Sequence, residues 1–185
     1  MKEIYAILLS LTLFATGTVF AQTPALDKSL PPLAIGDKGE LILEDGEYSY
    51  RPWSSSDAKN MVHVLQYFPA TLSAKNIFGP FTDRLKTDVP HGQFVVTTVL
   101  NLDRAMWGTG GLVTSEVKSN KEEFPDASMV LDEGGLGEEV WDLGKNGALL
   151  VVLNSSGKVM FLKRESLTEQ EMEDTIALML SEISS

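Results

Sequence analysis

Three short apolar runs dominate what this chain can become: Met61 to Phe68 (MVHVLQYF), Phe94 to Leu100 (FVVTTVL) and Leu149 to Leu153 (LLVVL). Each has the length of a strand and little polar alternation, which suits strands covered on both faces. Helical patterns lie between them. Leu72, Ile77, Phe78, Phe81 and Leu85 fall near one stripe from Thr71 to Lys86, and Pro80 inside that stripe predicts a kinked helix. A glycine-rich loop, Trp107-Gly108-Thr109-Gly110-Gly111, leads into a second predicted helix that runs to about Glu123. Ser128 to Leu131 reads as a short strand and Gly137 to Leu143 as a short helix carrying Trp141. Strands alternating with helices imply right-handed crossovers and a mostly parallel sheet centre.

Two hairpins flank this alternating middle. Leu41, Leu43, Tyr48 and Tyr50 alternate around Asp45-Gly46, a pair that tolerates the positive backbone angles of a tight turn. Leu149 to Leu153 and Lys158 to Leu162 surround Asn154-Ser155-Ser156-Gly157, the strongest hairpin signal in the chain. The final helix has a legible start, with Thr168 as N-cap, Glu171 as its capping-box partner and Leu167 stapling onto Met172. Met172, Ile176, Met179, Leu180 and Ile183 form its apolar face. The order of elements describes an α/β domain of three layers around a mixed sheet.

The N-terminus carries a different kind of signal. Met1-Lys2 precedes an apolar run from Ile4 to Phe14, and Val19-Phe20-Ala21 places small residues where a signal peptidase reads them. That run is shorter than the ~20 residues of a spanning helix. Residues 1–21 are therefore read as a secretory signal peptide, and residues 22–185 as a single domain delivered to the periplasm with no stable membrane insertion. The chain has no cysteine, so it has no disulfide, no thiolate nucleophile and no C-x-x-C metal site. Its formal net charge of -11 repels phosphate backbones, and nucleic acid is not an expected partner.

The strand Met61 to Phe68 followed by a helix with Pro80, and the late hairpin with its capped helix, resemble the two halves of a thioredoxin-like fold. On that pattern the redox cysteine positions fall on Leu72 and Lys75, and the cis-proline position falls on Ala148. More closely, the mature chain resembles the YtfJ family of exported bacterial proteins. The residues that carry the match include Leu65-Gln66, Ser73-Ala74-Lys75, Asn101 with Asp103, Gly108 and Gly110, Ser119-Asn120-Lys121, Pro125, Asp132, Trp141, Val151-Val152-Leu153 and Leu167-Thr168. The resemblance implies a periplasmic, thioredoxin-like domain with an added N-terminal β-hairpin, and it brings no established activity. A site holding Leu and Lys cannot perform disulfide exchange, because the thiolate is the reactive species.

Few residues remain that could carry chemistry, and no catalytic residue, metal site or cofactor is assigned. Thr71, Ser73 and Lys75, with the adjacent Ala148 segment, mark the former active-site rim and are the candidate surface for an unknown periplasmic protein or peptide. Helix-start donors there could hold an anion or peptide carboxylate, whereas plain capping by Thr71 or Ser73 and a solvated Lys75 is the simpler use. The alternative is a small-ligand carrier or non-thiol enzyme built on Asp103, Trp107, Gly108 and Gly110, although this loop matches neither G-x-G-x-x-G nor the P-loop. Glu122, Glu123, Asp126, Asp132, Glu133, Glu138, Glu139 and Asp142 are expected to form a solvated acidic face able to attract a basic partner. With only two histidines, His63 and His91, neither a zinc site nor a Ser-His-Asp triad is supported. Trp53 and Trp141 are expected in the core. Intact-mass measurement of the protein recovered from a periplasmic fraction should give a chain beginning at Gln22; a mass retaining residues 1–21 would refute the leader.

Overall fold

A computed structural model describes residues 21–57, 60–105, 110–124, 127–145 and 147–185. The first hairpin forms as its sequence predicts. Strands β1 (Ala34–Glu44) and β2 (Glu47–Ser54) pair antiparallel, with Glu44 opposite Glu47 across a turn in which Asp45 and Gly46 have φ of 52° and 81°. Both central residues thus take the left-handed conformation that matches the twist of the flanking strands.

The three apolar runs become β3 (Val62–Pro69), β4 (Phe94–Asn101) and β6 (Leu149–Leu153), joined by β5 (Ser128–Asp132) and β7 (Val159–Lys163). The seven-stranded sheet has the order β2-β1-β5-β4-β3-β6-β7. Strands β3, β4 and β5 run parallel, while β6 is antiparallel to β3 and β7 to β6. The N-terminal hairpin docks onto β5 through Gly39 and Glu40. A parallel centre with antiparallel margins is the arrangement that the alternating pattern implies.

Helices α1 (Gly79–Asp88) and α4 (Glu169–Ile183) cover one face of the sheet. There Val64, Leu150 and Val152 pack with Phe81 and Leu85 of α1 and with Met172, Ile176 and Met179 of α4. The capping box of α4 is complete, since Thr168 Oγ1 accepts from the Glu171 amide and Glu171 accepts from the Thr168 amide. Helix α2 (Gly110–Glu123) sends Val117 into a third apolar cluster with Leu41 and Leu131. The opposite face buries Leu65, Tyr67, Val99 and Val151 beneath the N-terminal segment, Trp53, Trp141 and the short helix α3 (Leu136–Val140). That segment is tied down by Trp141 Nε1 donating to the Pro31 carbonyl at 2.8 Å and by the Gln22 amide donating to the Val140 carbonyl at 2.8 Å.

One element differs from its sequence reading. Thr71 to Lys86 is not a single kinked helix: residues 71–78 form hydrogen-bonded turns, and α1 begins at Gly79 with Pro80 in its first turn. Proline has no N–H to bond the carbonyl four residues back, and its ring collides with that carbonyl, so a helix is far better started than continued there. The tail of the stripe, Phe81 and Leu85, stays helical and buried.

His63 lies in β3 and is 1% exposed; its Nε2 is 2.9 Å from Thr97 Oγ1, and Nδ1 has no partner among the described residues. Burial disfavours the imidazolium and pushes its pKa from 6.5 down to about 4. Between these values the unfolded chain binds the extra proton, so His63 destabilises the fold as pH falls through that window. Urea unfolding from pH 7 to 4 should show the native protein losing on the order of 3 kcal/mol relative to His63→Leu; a constant difference between the two proteins would show that the ring titrates normally.

Candidate functional site

Position on a parallel sheet decides where a site can form, because strand ends leave an opening that helices cover only in part. Pro69, Asn101 and Asp132 are in register at the carboxyl ends of β3, β4 and β5. Two features meet this edge from opposite faces of the sheet.

On the α1 and α2 side lies a groove of about 540 Å³ whose lining runs from Gln66 along β3 to Leu72 and Lys75. Its apolar walls come from Phe68, Phe78, Leu100, Val113, Val117 and Met129. The floor holds a polar pair on neighbouring strands, Gln66 Nε2 donating to Thr98 Oγ1 at 2.7 Å. Thr82 Oγ1 of α1 reaches Gln66 Oε1 at 3.4 Å, so the buried amide is satisfied from both sides. At the mouth, Lys75 Nζ and Glu116 Oε1 of α2 form an ion pair at 2.6 Å. Leu72, beside it, is 88% exposed, an unusual position for a leucine with helix and sheet close by.

The sequence-predicted residues distribute unevenly around this groove. Thr71 and Lys75 line it. Ser73 is exposed, with its hydroxyl 3.2 Å from Thr71 Oγ1. Neither hydroxyl caps α1, whose N-cap is Phe78 without a side-chain bond. The Thr71 carbonyl accepts from the Ala74 and Lys75 amides, which closes a local turn. Ala148 is 5% exposed and sits in the core with Val62 and Val64, with no cis peptide among the described residues. Asp103 pairs with Arg104 at 3.3 Å. Gly110 is the first residue of α2, and Trp107 and Gly108 lie outside the described residues. A shallower depression of about 560 Å³ at the start of α2 is edged by Lys38, Lys118 and Glu133; Lys38 and Glu133 pair at 2.9 Å.

The second feature is a buried polar network on the α3 side. Tyr67 donates its hydroxyl proton to Asp132 Oδ2 at 3.1 Å and accepts from the Glu138 amide at 3.0 Å. Asp132 also accepts from the Leu136 and Gly137 amides at 2.9 and 2.8 Å, which anchors the start of α3. Glu138 receives Asn101 Nδ2 at 3.1 Å and two bonds from Arg104, the shorter at 2.6 Å. Burial pushes the Asp132 carboxyl above its ordinary pKa, opposed by hydrogen bonds from the Gly137 and Leu136 amides and from Tyr67. Burial, followed by the Asp132 charge, drives the Tyr67 hydroxyl far upward, so it remains a proton donor.

This network corrects the expectation of a uniformly solvated acidic face. Asp132 and Glu138 are 1% and 7% exposed, whereas Glu122, Glu123, Glu133, Glu139 and Asp142 are exposed; Asp126 lies outside the described residues. A linear run of acids does not reveal which carboxylates find donors across the sheet. Sequence reasoning also missed Gln66, Thr98 and Glu116 in the groove, and Tyr67, Asn101 and Arg104 in the network. One signal was available: Gln66 and Tyr67 are hydrogen-bonding residues inside an otherwise apolar strand, and such residues require partners when buried.

A seven-stranded α/β sheet of this topology has a thioredoxin-like fold, and comparison with solved structures agrees. A thiol-disulfide isomerase from Corynebacterium glutamicum matches with a TM-score of 0.57 at 15% identity, covering 84% of this chain and 97% of that one. The thioredoxin domain of a thiol-disulfide oxidoreductase from Bacteroides vulgatus matches with a TM-score of 0.53 at 14% identity, covering 84% and 98%. These likenesses show the fold. Without cysteine, the present chain is redox-inactive as a thiol-disulfide catalyst. The chain belongs to the family described as "Bacterial protein of unknown function (YtfJ_HI0045)", whose model matches residues 25–182. Among its relatives are the uncharacterized protein YtfJ of Escherichia coli K12, 32% identical over 151 residues that cover 81% of this chain and 82% of the relative. An uncharacterized Haemophilus influenzae protein is 28% identical over 178 residues, covering 96% of each chain.

Two substitutions probe the network. Tyr67→Phe removes one of two partners from the Glu138 amide, which keeps the Gly135 carbonyl at 3.1 Å, and one from Asp132 Oδ2, which keeps the Gly137 amide at 2.8 Å, and should cost about 0.5–1.5 kcal/mol in urea unfolding. A Cβ at Gly137 would stand 2.4 Å from Tyr67 Cε2, so Gly137→Ala should destabilise by a similar amount through displacement of the ring. Wild-type stability in both would show that α3 does not depend on this bridge.

Proposed function

We propose that this is an exported, redox-inactive thioredoxin-fold module, a single domain over residues 22–185, that binds a protein or peptide segment in the periplasm through the groove bordered by Thr71 and Lys75. The carrying observation is the groove itself: about 540 Å³, apolar in its walls, and opening where β3 ends. That volume lies within the range of ligand pockets, and the carboxyl ends of parallel strands are where open α/β sheets bind their ligands. Leu72 at the mouth, 88% exposed, supports a partner larger than the groove, since it offers apolar contact toward solvent.

The leader reading of residues 1–21 supports the location. No described helix is long and apolar enough to cross a membrane. The net charge of -11 argues against a nucleic-acid partner. Of the alternative site at Asp103, Trp107, Gly108 and Gly110, Asp103 pairs with Arg104 at 3.3 Å, and Trp107 and Gly108 lie outside the described residues.

Panning a displayed random-peptide library on the mature protein tests the proposal, followed by resonance mapping of the enriched peptides. Enriched peptides should perturb Leu72, Lys75 and Val113, and Leu72→Asp should weaken them by about tenfold while changing stability by only about 0.5 kcal/mol. Peptides that map to another surface, or that bind Leu72→Asp unchanged, would refute the groove.

A further inference from the structure

The groove's rim bears charges that select its occupant. Among the described residues Lys75 is the one lysine or arginine of the lining, beside two carboxylates, Glu116 and Asp83. The Lys75 ammonium is already neutralised by Glu116 at 2.6 Å, and Asp83 is paired at 3.0 Å with Lys86, which lies outside the lining. Both pairs are exposed, with side-chain exposures of 61% and 47% for Lys75 and Glu116, and 48% and 75% for Lys86 and Asp83. Exposed pairs of this kind are weak enough for a ligand's own charge to exchange with them.

An anionic ligand would approach against a formal net charge of -11 and would have to draw Lys75 away from Glu116 for a single partner. A cationic ligand is steered inward and competes with Lys75 and Lys86 for two carboxylates rather than one partner. The interior floor makes little hydrogen-bond demand, because Gln66 and Thr98 pair with each other. It therefore favours an apolar group, and the aromatic walls of Phe68 and Phe78 suit a large side chain.

Resting on the groove reading above, we infer that the occupant is a basic peptide segment with one large apolar side chain, and that Lys75 is an internal competitor holding Glu116 until the segment arrives. The apolar side chain fills the groove between Phe68, Phe78 and Val113, and flanking lysine or arginine residues take Glu116 and Asp83. Lys75 thus acts against ligand binding, the opposite of the role its position at a thioredoxin-type rim suggests.

The competitor role gives a prediction of unusual sign. Three short fluorescent peptides serve as probes: a central phenylalanine flanked by alanine with lysine at both ends, the same peptide with glutamate for lysine, and the lysine peptide with alanine for phenylalanine. Anisotropy titration of the mature protein at low salt should show the lysine-phenylalanine probe binding about tenfold or more tightly than either other probe, with affinity falling as salt rises. Lys75→Met should tighten that probe by roughly two- to fivefold, and Glu116→Gln should weaken it by roughly the same factor. Thermal melts of both variants, unchanged from wild type, exclude loss of fold as the cause.

Equal or tighter binding of the glutamate probe, or weaker binding of the lysine probe to Lys75→Met, would overturn the basic occupant in favour of an anionic one and leave the groove in place. Absence of binding by the lysine probe, while library peptides still depend on Leu72, would likewise refute the basic class alone. Indifference of every bound peptide to Leu72→Asp would refute the groove reading itself.

Discussion

The hydroxyl of Tyr67 stands between the Asp132 carboxylate and the Glu138 amide, and the carboxyl edge of the sheet is organised around that bridge. Through Asp132 it anchors the first amides of α3, and through Glu138 it connects to Asn101 and Arg104, the end of β4 and the turn after it. Polar groups this deeply buried are costly when unpaired, so the network has few alternative arrangements. Gly137 leaves just enough room for the Tyr67 ring, whose edge also packs against Trp141 at a centroid distance of 5.7 Å. Trp141 in turn holds the N-terminal segment through Pro31. Three elements distant in sequence are thereby placed by one phenolic oxygen and its neighbours.

The same strand supplies the other face of the edge. Because successive side chains alternate, β3 directs Tyr67 into the network while Gln66 and Phe68 line the groove. Stabilising the network thus also positions the groove floor, which explains how a chain without disulfides can keep an open apolar depression in shape. At the mouth of the groove this protein presents an exposed leucine and an ion pair from the turn to α2.

How much of this was legible in the sequence follows from how local each signal is. The turn at Asp45-Gly46 and the capping box at Thr168 and Glu171 depend on neighbours within a few residues, and both form as read. Strand β3 was legible from its apolar run and its central place from the absence of a solvated face. Pro80 was seen but misassigned: its presence announces a constraint, while whether that constraint kinks a helix or starts one depends on how residues 71–78 pack beforehand. The eight acidic residues looked equivalent in sequence, yet only Asp132 and Glu138 are buried among those described, because donors from β3, β4 and Arg104 converge on them.

The sequence by itself determined the local elements, the absence of thiol chemistry and the strong negative charge, since each depends on residue type and short-range backbone preference. Only the tertiary structure decided that Lys75 pairs with Glu116 across a groove, that Leu72 lies exposed beside it and that Tyr67 joins Asp132 to α3. These contacts link residues tens of positions apart. Their geometry is set by the register of parallel strands and the docking of helices on them, which no local pattern encodes.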